Sequence, residues 1–166
     1  MTIKTKLTFN EYLNLIFLLT YRKPVNILLS IIGLVMFFGA ILYFIGVSLP
    51  IDEPPYIALL LGFLIVVVSP LSTYIASRRA FYSHTSLRET IMYEFEDDKI
   101  RVTGEAFNSE LTWSSIYKVL ELKHWILIYQ SKVIANIIPK QSFQGTQLTD
   151  FRELVKNSNV KAKLRY

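Results

Sequence analysis

The sequence predicts an α+β membrane protein: a two-helix transmembrane hairpin, then a small antiparallel sheet closed by one C-terminal helix. Two observations carry this expectation, a pair of charge-free stretches long enough to span a bilayer and a series of short alternating runs from about Leu87 onward. The 166 residues are 52% hydrophobic and 19% charged, whereas roughly a quarter of an ordinary soluble domain is charged. Aromatic residues make up 14%, which excludes disorder over most of the chain. The absence of cysteine removes disulfides, thiolate metal sites and thiol nucleophiles from consideration.

Val25–Leu49 runs 25 residues and Tyr56–Ser77 runs 22 residues without a charged side chain. At about 1.5 Å per helical residue, each reaches across a hydrocarbon core of roughly 30 Å. Two buried helices in a soluble core would need more surrounding protein than the remaining chain supplies. The first run is too long for a signal peptide and no small-x-small cleavage site follows it, so both helices are expected to stay in the mature chain. Lys4, Lys6, Arg22 and Lys23 precede the first span, and Arg78, Arg79 and Arg88 follow the second. The loop 50–55 between them carries Asp52 and Glu53 but no basic residue. Basic residues stay on the cytoplasmic side, so both termini are expected there.

Neither span contains Asp, Glu, Lys, Arg or His, so neither reads as a transport pathway. Pro70 removes a backbone donor and is expected to kink the second helix. At about 100° per residue, Ala58, Gly62, Ser69, Thr73 and Ala76 share one face of that helix. On the first span Asn26, Ser30, Gly33 and Ala40 share a face, with Phe37 and Phe44 between them. Small residues let helix backbones approach, so the two stripes are expected to pack together. A homo-oligomer seam is the other use they admit.

Ahead of the hairpin, Ile3, Thr5 and Leu7 alternate with Thr2, Lys4 and Lys6, a strand pattern that can pair with the later sheet. Thr8-Phe-Asn-Glu11 fits a capping box, and Phe9, Tyr12, Leu13, Ile16 and Phe17 follow at helical spacing, as in a helix lying on a membrane surface. After the hairpin, Ile91, Tyr93 and Phe95 alternate with polar neighbours, and Ile100 and Val102 return beyond the turn Glu96–Lys99. Further strands read at 108–113, 116–122, 125–130 and 133–138, with short polar separators. Separators this short favour an antiparallel meander over β-α-β units. A helix reads over 147–157, with Thr146 as its cap, Asp150 in its first turn, and Leu148, Phe151, Leu154 and Val155 on one side. The divisions are then 1–23 (strand and juxtamembrane helix), 24–77 (hairpin), 78–86 (interfacial linker), 87–157 (sheet and helix) and 158–166 (basic tail).

A bent half-barrel with a helix closing its open end is the outline of a pleckstrin-homology-like domain. Leu111-Thr-Trp113-Ser-Ser-Ile116, Trp125-Ile-Leu-Ile-Tyr129, Ile138-Pro139-Lys140 and Phe151-Arg152-Glu153-Leu154 follow in order. Behind a two-helix hairpin, this series resembles the YcxB-like family of bacterial membrane proteins, most specifically over 87–156. The resemblance implies a bacterial plasma-membrane protein with a pleckstrin-homology-like cytoplasmic domain, and it brings no catalytic residues with it.

No constellation for catalysis stands out. His84 and His124 lack the spacing of a zinc pair, and His124 falls in a hairpin turn. Gly104 and Gly145 are the only glycines beyond the spans, too few for a phosphate loop. Glu94 and Glu96 share a strand face and Asp97 and Asp98 follow; a solvated face and turn explain all four. Trp113 reads as a core aromatic, with a ligand groove as the alternative. Neither a cofactor nor a metal is expected.

The net charge of +5 sits at the span flanks and the tail rather than in a basic strip interleaved with aromatics, which argues against nucleic acid. Arg101, Lys140, Trp125, Lys161, Lys163 and Arg165 are the candidate contacts to a protein partner or an anionic lipid headgroup; each tail charge adds about 1 kcal/mol near such a surface. The expected function is non-catalytic: the domain is presented for partner or headgroup binding. The alternative is a small scaffold or immunity-type protein acting through its spans.

Overall fold

In the computed structural model, which describes residues 1–47 and 53–165, the chain forms two units. One is Tyr12–Ala80; the other joins Met1–Glu11 to everything from Phe81 onward. The end of the first expected span (Ser48, Leu49) and Pro50–Asp52 of the expected loop lie outside the described residues.

The helices come first. Helix α1 covers Phe9–Tyr21 and α2 covers Pro24–Phe44. Helices α3 (Tyr56–Phe63) and α4 (Ser69–Ser83) are continuous through a π turn at Leu64–Val68. The capping box forms as expected, with the Glu11 amide donating to Thr8 Oγ1 (3.3 Å) and the Thr8 amide to Glu11 Oε2 (2.8 Å). Pro24 opens α2, where its missing N–H is harmless, and Asn26 Nδ2 donates back to the Thr20 carbonyl at 2.7 Å. Two residues beyond the end of α2 stands Gly46, whose φ of 86° is left-handed. That conformation lets the Val47 amide reach the Leu42 carbonyl at 3.1 Å.

The small-residue stripes meet. A Cβ on Gly33 would lie 2.5 Å from Ile65 Cγ2, and one on Gly62 would lie 2.6 Å from the Phe37 backbone nitrogen. The stripe on the second helix nevertheless differs from expectation in its later half. Ser69 and Ala76 are exposed, whereas Ser77 is buried and Pro70 is half-buried. The π turn is the cause: it takes in one extra residue, so every position beyond it rotates relative to a regular helix. It lies immediately before Pro70 and bonds the Ser69 amide to Leu64 O, so the proline's effect is this widened turn. Both α2 and the helix Tyr56–Ser83 are long and apolar enough to cross a membrane. Their outer faces are uncovered, with Val25, Ile31, Val35, Phe38, Ile57 and Leu60 between 53% and 75% exposed.

In the second unit, β1 (Thr2–Lys6) joins strands that follow the helices: β2 (Thr90–Phe95), β3 (Lys99–Thr103) and β4 (Asn108–Thr112). Together they form an antiparallel sheet in the order β1-β2-β3-β4. Ile3 pairs with Tyr93 and Thr5 with Ile91, while Thr2, Lys4 and Lys6 face solvent. The other sheet, in the order β7-β6-β5-β8, contains β5 (Lys118–Glu121), β6 (Trp125–Tyr129), β7 (Ala135–Pro139) and β8 (Ala162–Lys163). Helix α5, Gln147–Asn157, covers the span expected for it and buries Phe151 and Val155 completely. Its Phe151 ring meets Phe95 edge-on at 5.0 Å. Ile3, Tyr93, Ile100, Ile126, Ile128 and Ile138 belong to the same core, so the first strand is as integral as the later ones.

Four local expectations change. Strand β7 starts at Ala135, because Ser131 Oγ accepts the Val133 and Ile134 amides (3.3 and 3.1 Å) in a turn that leaves Val133 87% exposed. Strand β5 starts at Lys118, after a 3-10 turn at Trp113–Ser115. Thr146 makes no side-chain cap; its hydroxyl donates to Asp150 Oδ2 instead, at 3.1 Å. The basic tail returns as β8, parallel to β5, and the Val119 amide donates to the Lys161 carbonyl at 2.9 Å.

Candidate functional site

The sheet-bearing unit carries a half-open cavity of about 460 Å³. Its apolar wall comes from Leu7, Leu87, Ile91, Phe107, Ile134 and Ile137, and its polar wall includes Thr5, Glu89, Tyr93 and Asn136. These residues lie on β1, on the start of β2 and the segment before it, on the β3–β4 loop, and on β7 with its preceding turn. Leu7 and Leu87 are close in sequence to the two points where the chain leaves and re-enters this unit.

The polar groups are unevenly satisfied. Thr5 Oγ1 accepts from Ser142 Oγ at 2.9 Å. Burial pushes the Tyr93 phenol up, which keeps it neutral. Glu89 is only 9% exposed, and one of its oxygens accepts the Glu105 amide at 3.1 Å. It makes no ion pair among the described residues. Asn136 Nδ2 is enclosed and has no hydrogen-bond partner.

A second polar cluster centres on Glu121, whose side chain is fully buried. Arg152 from α5 grips both carboxylate oxygens (2.6 and 3.1 Å), Lys140 adds an ion pair, and the Arg165 amide donates at 3.0 Å. Arg152 also donates to the Arg165 carbonyl at 2.7 Å, tying the tail to helix and sheet. Burial works against the charge on Glu121, yet Arg152, the Arg165 amide and Lys140 outweigh it and lower its pKa to about 2.

The residues nominated from sequence divide between these surroundings. Lys140 and Arg165 meet at Glu121, Arg165 through its backbone. Lys161 and Lys163 are exposed, the first just before β8 and the second within it. Trp125 is buried in β6, edge-on to His124 at 5.5 Å. Arg101 lies apart on the first sheet, where Glu110 (2.9 Å), Glu96 (3.1 Å) and Glu94 (3.7 Å) surround it. The same contacts occupy Glu94 and Glu96, and neither lines the cavity. Trp113 takes its core role, donating Nε1–H to the Glu96 carbonyl at 2.9 Å. Among the described residues no group of three His, Asp or Glu is placed to hold a metal ion. Sequence reasoning missed Glu89, Asn136 and Glu121. Only Glu121 had left a signal, because it shares the inward parity of Val119 in β5.

An α+β chain that joins an apolar helical hairpin to a two-sheet, cavity-bearing unit is the class of protein that this architecture defines. Residues 95–155 match the family model described as YcxB-like protein, so over that stretch the chain is similar to this family. No curated relative and no solved structure matches it.

Proposed function

We propose that this chain is a bacterial plasma-membrane protein whose non-catalytic, pleckstrin-homology-like domain binds a ligand at the cytoplasmic surface. The pairing of β1 with β2 carries this reading. The two strands stand on opposite sides of the hairpin in sequence, and backbone hydrogen bonds cannot form across a bilayer. A membrane crossed by both helices therefore leaves the whole domain on one side. The basic flanks favour the cytoplasm as that side, and the uncovered apolar faces of the helices suit lipid as their surroundings.

The sheet order, with a first sheet of four strands, a second sheet and a closing helix, supports the pleckstrin-homology-like reading. Between a protein partner and a lipid headgroup, the cavity favours a small ligand or headgroup, since its size falls within the usual range for small-molecule sites. The exposed Lys161 and Lys163 add attraction to an anionic bilayer. Native mass spectrometry of the full chain released from membranes tests this reading. The expected result is a small-molecule or lipid adduct on the wild-type chain that is lost when Ala135→Trp fills the cavity. A wild-type chain that carries no adduct under any release condition contradicts it.

A further inference from the structure

We infer that the cavity takes a primary ammonium group borne on an apolar body, with Glu89 as its charge partner. This rests on the binding reading above and names the chemistry of the ligand.

Glu89 is 9% exposed, and the Glu105 amide engages one of its oxygens. A carboxylate so withdrawn from water is costly without a counter-charge. The cavity wall supplies none: no Lys or Arg lines it, and Leu7, Leu87, Ile91, Phe107 and Ile137 give it an apolar lining. A bound cation is the partner that Glu89 lacks, and the low-polarity wall strengthens their attraction. The same carboxylate repels anions that carry no ammonium of their own, so the site selects against simple phosphate and carboxylate ligands. An ammonium offers three donors, which suits a wall lined by both Glu89 and Thr5. Asn136 Nδ2 is enclosed in that wall without an acceptor. A ligand that also carries an oxygen gains a second polar contact once the amide turns about χ2. A soluble amine and the ammonium head of an aminolipid share this chemistry.

The test uses the full chain in phosphatidylglycerol nanodiscs, with isoleucine methyl NMR reporting on Ile91, Ile134 and Ile137. The probes are 2-phenylethylamine, 2-phenylethanol and 3-phenylpropionate, similar in size and different in charge. The amine is expected to bind on the order of tenfold more tightly than the alcohol, and the acid more weakly than either. Glu89→Gln keeps an acceptor for the Glu105 amide and is expected to make amine and alcohol equivalent, with the methyl spectrum otherwise unchanged. The wild-type comparison needs no variant. Equal binding of amine and alcohol there overturns the ammonium assignment but leaves the binding reading standing, whereas no binding of any probe overturns both. Adding phosphatidylethanolamine to the nanodiscs separates the sources: weakened amine binding identifies the lipid head, and unchanged binding identifies a soluble amine.

Discussion

Glu121 ties helix α5, the turn after β7 and the C-terminal tail to β5 through one carboxylate. It points inward from β5 because it shares the parity of Val119, and it stays charged because Arg152, Lys140 and the Arg165 amide converge on it. Its folded pKa of about 2 lies below the ordinary 4.5. Its contribution to stability is therefore complete above the unfolded value and is lost as pH falls through 4.5 toward 2. A shift of this size corresponds to about 3 kcal/mol. Thermal unfolding of the purified chain in detergent is expected to show that loss over this window, and Glu121→Gln is expected to remove most of the pH dependence. At neutral pH the variant is expected to lose about 3–5 kcal/mol, because the buried ion pairs of Glu121 with Arg152 and Lys140 are broken. Unchanged melting would remove Glu121 from this central role. At this scale the sequence was only partly legible. Arg101 stood out as a basic strand residue, but its three carboxylate neighbours come from β2, β4 and the turn after β2, and no local spacing brings them together. Glu89 precedes the alternating run and Asn136 follows a turn, so a cavity wall built where β1, β2 and β7 approach left no mark on either.

Among the elements, β1 and the helix stripes test how sequence pattern becomes packing. Ile3 is 2% exposed and lies in the same core as Ile126. Ile3→Ala is therefore expected to destabilise the domain by about 2–5 kcal/mol, comparably to Ile126→Ala, when both are melted in the same detergent. An unaffected Ile3→Ala melt would make β1 an accessory rather than a core strand. In the hairpin, a Cβ at Gly62 would clash with the Phe37 backbone, whereas one at Gly39 meets nothing within 4 Å. Gly62→Ala is expected to cost about 1–3 kcal/mol, and Gly39→Ala is expected to be neutral or to gain up to about 1 kcal/mol from helix propensity. Thermal stability in detergent separates the two, and an equal effect would contradict the close approach. The long charge-free run made α2 legible, and strong local periodicity did the same for α5 and most strands, including the alternation of Ile3 and Thr5. The π turn was not, because Pro70 announces a disturbance without saying how the preceding turn absorbs it. Strand β8, only Ala162–Lys163, is too short for any alternation and exists because the tail finds the free edge of β5.

At the scale of the whole molecule, the chain is one domain interrupted by a hairpin rather than a hairpin followed by a domain. The charge pattern alone predicts both flanks of the helices on one side; the β1–β2 ladder agrees with that expectation, since it requires Thr2–Lys6 and Thr90–Phe95 to share a compartment. The chain has no cysteine, so single cysteines can be introduced without removing any native one. Glu53, Lys6 and Lys123 are all exposed, one between the helices and one on either side of them in sequence. The most direct measurement is labelling of Glu53→Cys, Lys6→Cys and Lys123→Cys in bacterial spheroplasts with a membrane-impermeant maleimide. Labelling of Glu53→Cys in intact spheroplasts, with Lys6→Cys and Lys123→Cys reacting only after permeabilisation, is the predicted result; labelling of Lys6→Cys and Lys123→Cys from opposite sides, or of both from outside, would contradict it.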